Sequence, residues 1–355
     1  MIKKIYRKLA RMVTRNLVLW KESRTLRPLT DLMPSRDIAK IESLLENQAF
    51  RRSLSAADID AKTLDSLVRL LGSKDQGRKI LIRPHNFAGH LTHYHHFFGA
   101  VILPLLEWAS AGVVSQGDVV LVRDCGPLNP EIEQWSGILG VQATTIPIGL
   151  VPCLAGSAMV EVWDAPSYDF SFRDDWYPRK MIIEKIRNHV FQLIHVSSDQ
   201  QTVNLCEPKI VVVARGKADP FYKSRKADTK TCGADRRSIP NLEELVDELS
   251  KLSKDVQVAY LEDMRVSDKI HLFKHADLVV GQMGAGLNNA IWMEPGSALI
   301  EILSLEGIRL NFTVFANICN RAEVRHRRVV QESNHAAVNI PLIMGFAKDL
   351  IVSRM

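Results

Sequence analysis

The chain has 355 residues, 46% of them apolar and 24% charged, with a formal net charge of +6. That is length for two α/β lobes with separate cores, and the composition excludes a disordered or low-complexity protein. Five scattered cysteines, never in CxxC spacing, exclude a disulfide framework and a zinc site and fit a reducing compartment. The charge is uneven. Residues 1–36 hold ten Lys/Arg against two acids, which leaves the rest of the chain at −2 and argues against a nucleic-acid groove.

The N-terminus is charged throughout and lacks the apolar segment of a signal peptide, so none is expected. Ile2, Ile5, Tyr6, Leu9, Met12, Val13, Leu17 and Trp20 recur at helical steps, with Lys3, Lys4, Arg7, Lys8, Arg11 and Arg15 on the other faces. A basic amphipathic helix over residues 1–20 suits an anionic membrane surface. The same pattern also suits a helix docked on the protein's own core. Residues 1–35 are thus read as an arm and connector, 36–195 as an N-terminal lobe and 196–355 as a C-terminal lobe. Neither of the long apolar stretches reads as a membrane span. Phe97–Leu106 is broken by Pro104, and 137–160 is interrupted repeatedly by Gly and Pro.

In the N-terminal lobe, Lys79–Ile82 reads as a strand, followed by five histidines within twelve residues: His85, His90, His93, His95 and His96. No HExxH and no carboxylate accompanies them, so a metal site is not expected. A strand-to-helix turn carrying Asn86 and His90, ahead of a helix from Leu91 to Trp108, is the better reading. A histidine there can act as a base or bind substrate. Val119–Val122 is a second strand running into Arg123 and Asp124, at the kind of strand end where α/β proteins hold ligands. A helix over Glu131–Leu139, a short strand at Thr144, and a long helix from Pro178 to His195 complete the lobe.

The C-terminal lobe opens with the strand Lys209–Ala214 and then Arg215; Arg236 and Arg237 follow a cationic loop. Asn241 reads as the cap of a helix over Leu242–Leu252, Val256–Tyr260 as a strand, and Ser267 as the cap of a helix over Asp268–His275. Two buried strands, Leu278–Val280 and Ala298–Leu303, enclose a loop with Gly281, Gly284 and Gly286 and a short helix. Glycines where a strand hands over to a helix expose main-chain N–H groups to an anion. They also suit a plain tight turn, and the spacing matches neither GxGxxG nor a Walker loop. Arginines at the same strand ends, with no DxD pair, would neutralise a diphosphate without a divalent ion.

Arg215, the series Arg236-Arg237-x-Ile-x-Asn241 and the run from Leu261 to Ile302 resemble the carboxyl-terminal half of family 61 glycosyltransferases. That family covers bacterial capsular-polysaccharide enzymes and eukaryotic O-linked GlcNAc and xylosyltransferase relatives. Asn86-x-x-x-His90 is a weaker echo of its N-terminal element. The resemblance implies two Rossmann-like lobes in a GT-B-like pair and inverting transfer from a nucleotide sugar, with no cofactor or metal.

By position, it implies Arg215 and Arg237 on the donor diphosphate, with Arg236 beside them. Met283, Gly284, Ala285, Gly286 and Asn288 would line the donor pocket, and Glu301 would lie near the ribose. Asn86 and Arg123 would face the acceptor. A base is required as well, and His90, His93 and Asp124 are the candidates. One position departs: Met283 stands where the family usually carries His, and a thioether cannot shuttle a proton. Two readings follow, a transferase and a catalytically silent nucleotide-sugar-binding or scaffold protein; another nucleotide-using transferase of polysaccharide assembly is a third. The transferase would take a glycan or glycolipid acceptor and work in the cytoplasm, peripherally at the inner face of the cytoplasmic membrane.

Overall fold

The structure is a computed structural model that describes residues 77–84, 91–148, 151–155, 160–165, 180–194, 208–223, 232–309 and 313–352. The basic arm, Asn86, His90 and the expected lobe boundary at 195/196 lie outside the described residues. The chain is α/β with two sheets. It divides into two compact units, both discontinuous in sequence. One comprises residues 1–83, 117–124 and 142–163. The other comprises 84–116, 125–141 and 164–355.

The first unit carries a four-stranded sheet of order β3-β2-β1-β4, with β1 Lys79–Arg83, β2 Val119–Arg123, β3 Gln142–Ile146 and β4 Glu161–Asp164. β1 to β3 run parallel. Ile80, Leu81 and Ile82, with Val119 to Val122, are fully buried, which is why these strands read as unbroken apolar runs rather than alternating ones. At the start of the sheet Arg78 forks onto Asp118 at 2.7 and 3.2 Å and lies 5.4 Å from the Trp163 ring centroid.

The second unit is built on five parallel strands: β5 Ile210–Ala214, β6 Val256–Tyr260, β7 Leu278–Gln282, β8 Ala298–Ser304 and β9 Arg325–Gln331. Their order is β6-β5-β7-β8-β9, a Rossmann-like doubly wound arrangement. Counted from β5 the order is 2-1-3-4-5, so it reverses between β5 and β7. In open α/β sheets that reversal leaves a crevice at the carboxyl ends of the two strands.

The unit's helices, in chain order, begin with α1 (Tyr94–Phe97). A π-turn at Phe98–Ile102 leads into α2 (Leu103–Ser110), and then come α3 (Asn129–Leu139) and α4 (Val151–Ala155, which belongs with the first unit). α5 (Lys180–Leu193), α6 (Gly233–Arg236), α7 (Leu242–Leu249) and α8 (Val266–Lys274) follow. After a 3₁₀ stretch at Ala285–Trp292 come α9 (Leu305–Arg309), α10 (Val314–Ala322) and α11 (Ile340–Val352). One face of the sheet, with Ile210, Val212, Val280, Ile300 and Val329, packs against Leu245 and Leu249 of α7 and Ile343 and Ala347 of α11. The 3₁₀ stretch packs against α5, α8 and α10.

Two expectations need correction, while the buried helix expected over Phe97–Leu106 forms and runs through Pro104. Having no N–H to return to residue 100, Pro104 follows the π-turn, whose wider winding carries the helix past the missing bond. Ser267 is not the cap of α8: the cap position is Arg265, and the Val266 N–H is taken by the Gln134 side chain at 2.7 Å. Asn241 holds the cap position of α7 but makes no side-chain cap bond. Its amide pairs both ways with the Val338 backbone.

Lys269 of α8 pairs with Glu131 of α3 at 2.5 Å, with side chains only 6% and 13% exposed. The Lys269 ammonium also lies 5.4 Å from the Tyr94 ring centroid. Removing one member of a buried pair strands the other charge, so Lys269→Met should destabilise this unit by about 3–5 kcal/mol. Urea unfolding of the variant measures it, and a loss under about 1 kcal/mol would contradict the pair's structural role.

Candidate functional site

The site is built where β5 and β7 end, at the point of reversal. β5 runs Ile-Val-Val-Val-Ala, all buried, and the next residue is Arg215. β7 closes with Gln282, and the next residue is Met283. Arg215 Nη2 donates to the Met283 carbonyl at 2.7 Å, and Arg237 Nη1 donates to the same oxygen at 2.7 Å. Two guanidinium groups therefore meet on one backbone oxygen. Arg237 Nε also donates to Asn334 Oδ1 at 3.3 Å, while Arg215 Nε is buried with no hydrogen-bond partner.

The electrostatics are those of cations held together, with Glu262 acting on Arg215 and Glu306 on Arg237 but outweighed by burial and mutual repulsion. Arg215 is pushed down to about 10, first by burial and then by Arg236. Arg237 is also pushed down to about 10, first by burial, then by Arg236 and Arg215. Both remain charged at neutral pH. The sign is that of a cost: the folded chain holds these protons less tightly than the unfolded chain, so the charged forms oppose folding at every pH below about 10. At an effective dielectric of 20, two charges about 5 Å apart repel by roughly 3 kcal/mol. An anion between them would reverse that term, and a diphosphate matches the fork geometry of guanidinium.

Gly284 makes the arrangement sterically possible. A Cβ there would stand 1.8 Å from Arg215 Nη2, so any other residue would expel the guanidinium. Gly286 is constrained by packing instead, since a Cβ would meet Leu261 Cδ1 at 2.9 Å. The loop then enters the 3₁₀ stretch, beginning at Ala285, with the Leu287 N–H bonded to the Gly284 carbonyl at 3.0 Å. At the far end, buried Arg187 donates to the Met293 carbonyl at 2.7 Å and clamps the loop's exit.

A belt of amides fixes the Arg237 side. Gln282 Nε2 donates to the Ser238 carbonyl at 2.9 Å and to Gln331 Oε1 at 2.6 Å. Gln331 Nε2 donates to the same Ser238 carbonyl at 3.0 Å, and the Ser238 N–H reaches the Asn334 carbonyl at 2.9 Å. Of these amides, Gln282 is signalled in the sequence as a polar residue ending an otherwise apolar strand, whereas Asn334 has no such signal.

The structure brings Arg215, Arg236, Arg237, Met283 and Gly284 together. Met283 contributes its carbonyl, while its side chain is buried at 6% exposure. Asn288 is fully buried, and its Oδ1 lies 3.1 Å from His95 Nδ1. Glu301, expected beside a ribose, is instead fully buried mid-strand. Its Oε2 accepts from Arg328 Nε at 2.8 Å and His326 Nε2 at 3.0 Å, so it ties β8 to β9, and no ribose reaches it unless that cluster opens. His93 precedes α1, its ring edge-on to Tyr222 and near His96. Arg123 and Asp124 end β2 in the first unit, where the Asp124 N–H bonds the Ile146 carbonyl at 2.8 Å. Among the described residues no three His, Cys, Asp or Glu side chains gather as a metal cluster.

The sheet order and the arginines at its reversal define a Rossmann-like α/β protein with a cationic pocket at the switch point. The sequence profile of the family described as Glycosyltransferase 61 matches residues 94–300, over half of the chain, and the chain belongs to that family. No curated protein matches the sequence.

Gly284→Ala tests the geometry of the pocket. The added methyl displaces Arg215 from the Met283 carbonyl, and binding of inorganic pyrophosphate, followed by calorimetry, should weaken by about tenfold or more, the value of one charge-assisted hydrogen bond. Unchanged pyrophosphate binding would mean that Arg215 does not hold the anion.

Proposed function

We propose that this protein is an inverting glycosyltransferase that takes a sugar from a nucleoside-diphosphate donor seated at the β5/β7 reversal. The observation that carries this reading is the meeting of Arg215 and Arg237 on the Met283 carbonyl, with no carboxylate hydrogen-bonded to either guanidinium among the described residues. Family membership supports glycosyl transfer. Transfer requires that negative charge developing on the leaving diphosphate be stabilised as the glycosidic bond breaks. Two preorganised guanidinium groups supply that stabilisation, and they do so without a divalent ion.

The departure at position 283 leaves the arginine contacts in place. The group the arginines use there is a main-chain oxygen, which any residue provides. A transferase is accordingly favoured over a silent binding protein. The acceptor in this reading is a surface glycan on a lipid carrier, and the motive is the basic amphipathic pattern of residues 1–20, which would hold the enzyme at an anionic membrane face. The two-sheet layout is read as a GT-B-like pair of Rossmann-like lobes.

A thermal-shift screen against UDP-, GDP-, CMP- and dTDP-sugars, with and without EDTA, tests the reading. One nucleotide should raise the melting temperature by mass action, by about 2.7 kcal/mol of stability at a hundredfold excess over Kd, and the shift should survive EDTA. No shift with any donor would overturn the donor site, and a shift abolished by EDTA would overturn metal independence.

A further inference from the structure

If the Met283 side chain cannot move a proton, another group must accept the acceptor hydroxyl's proton. Within the second unit, α1 packs against the 3₁₀ stretch that follows the glycine loop, and His95 Nδ1 lies 3.1 Å from Asn288 Oδ1. Asn288 is one 3₁₀ turn beyond Ala285, about 6 Å along the stretch that starts at the arginine pocket. We propose that His95 is the catalytic base of the sugar transfer, oriented by Asn288. This rests on the transferase reading above.

The chemistry follows from the hydrogen bond. An amide oxygen can only accept, so His95 Nδ1 must carry the hydrogen, and the neutral ring keeps its lone pair on Nε2. The ring is held in place from several sides. Tyr94 packs against Phe97 and Phe98 with the Lys269 ammonium 5.4 Å from its ring centroid, and the Tyr222 hydroxyl donates to the Thr92 carbonyl at 2.6 Å just before the helix. Asn288 is itself immobile in the core at 0% exposure. Its Nδ2 is buried without a partner, so the side chain's one described bond is the one to His95, and packing alone gives no reason for an amide there.

Three other described histidines fit the role less well. His326 is committed to Glu301. The exposed His335 pairs with the Ser238 hydroxyl, which can donate or accept and so fixes no tautomer. His93 packs against rings. His95 is the histidine bonded to the loop itself. In the step, the acceptor oxygen attacks the anomeric carbon as its proton passes to His95 Nε2. The bond from that carbon to the diphosphate breaks, the leaving oxygen keeps the electron pair, and Arg215 and Arg237 take up its charge. The imidazolium then returns the proton to water.

Two measurements on the full chain decide this. In protein labelled with ring-¹⁵N histidine, with His95 assigned by its absence in His95→Gln, the neutral ring should show a protonated Nδ1 and an unprotonated Nε2. The opposite tautomer would overturn the proposal. In nucleotide-release assays across the four donor classes, His95→Ala should lower kcat by about 10²–10⁴-fold, with donor-induced thermal shift retained and the acid limb of the pH profile lost. Added imidazole should restore part of the rate. Equal kcat in wild type and variant would overturn the assignment. If wild type releases no nucleotide from any donor, the transferase reading fails, and the ring spectrum still decides the tautomer.

Discussion

One backbone oxygen holds the site together. The Met283 carbonyl takes both Arg215 and Arg237, and without it two partly buried guanidinium groups would repel each other apart. The carbonyl is available because Met283 follows β7 directly. There its N–H is bonded to the Ile302 carbonyl of β8 at 2.7 Å while its oxygen faces out of the ladder. The parallel register of β5, β7 and β8 therefore sets the position of the acceptor to which both cations are bound.

Much of the surrounding structure can be read as support for that arrangement. Gly284 leaves the space that the Arg215 guanidinium occupies. The amide belt of Gln282, Gln331 and Asn334 fixes the chain at Ser238 and thereby the approach of Arg237. Arg187 clamps the exit of the loop, and Glu301 draws β9 onto β8. The pocket's cations are only partly compensated, by Glu262 and Glu306. Such a cation cluster is costly to fold, and proteins keep such costs where a ligand relieves them.

The sequence made the second sheet legible where its strands are buried on both faces, because β5, β7 and β8 read as apolar runs ending in turns. It did not reveal β9. Arg325, His326, Arg327 and Arg328 interrupt any apolar pattern, and the strand forms because His326 and Arg328 turn toward a buried carboxylate that belongs to β8. The arginine pocket was legible as a convergence of strand ends. Its key acceptor was not, since a main-chain carbonyl has no residue signature, and Met283 drew attention for its side chain. Glu301 was legible as an acid in an apolar strand, but its cationic partner, 27 residues on, was not. His95 stood among five histidines, and only tertiary contact with Asn288 separates it from its neighbours.

The most direct test of the account is a calorimetric comparison of nucleoside diphosphates with their nucleosides, in wild type, Arg215→Ala, Arg237→Ala and the double variant. A charge-assisted hydrogen bond contributes about 1.5–3 kcal/mol, roughly 10- to 150-fold in affinity. The account predicts that wild type prefers the diphosphate by at least that factor and that each substitution erodes the preference. Because the two cations share one oxygen, the single losses should not add to the loss in the double variant. A double variant that still binds the diphosphate as wild type does would contradict the central claim, because the cation pair would then have no part in holding the donor.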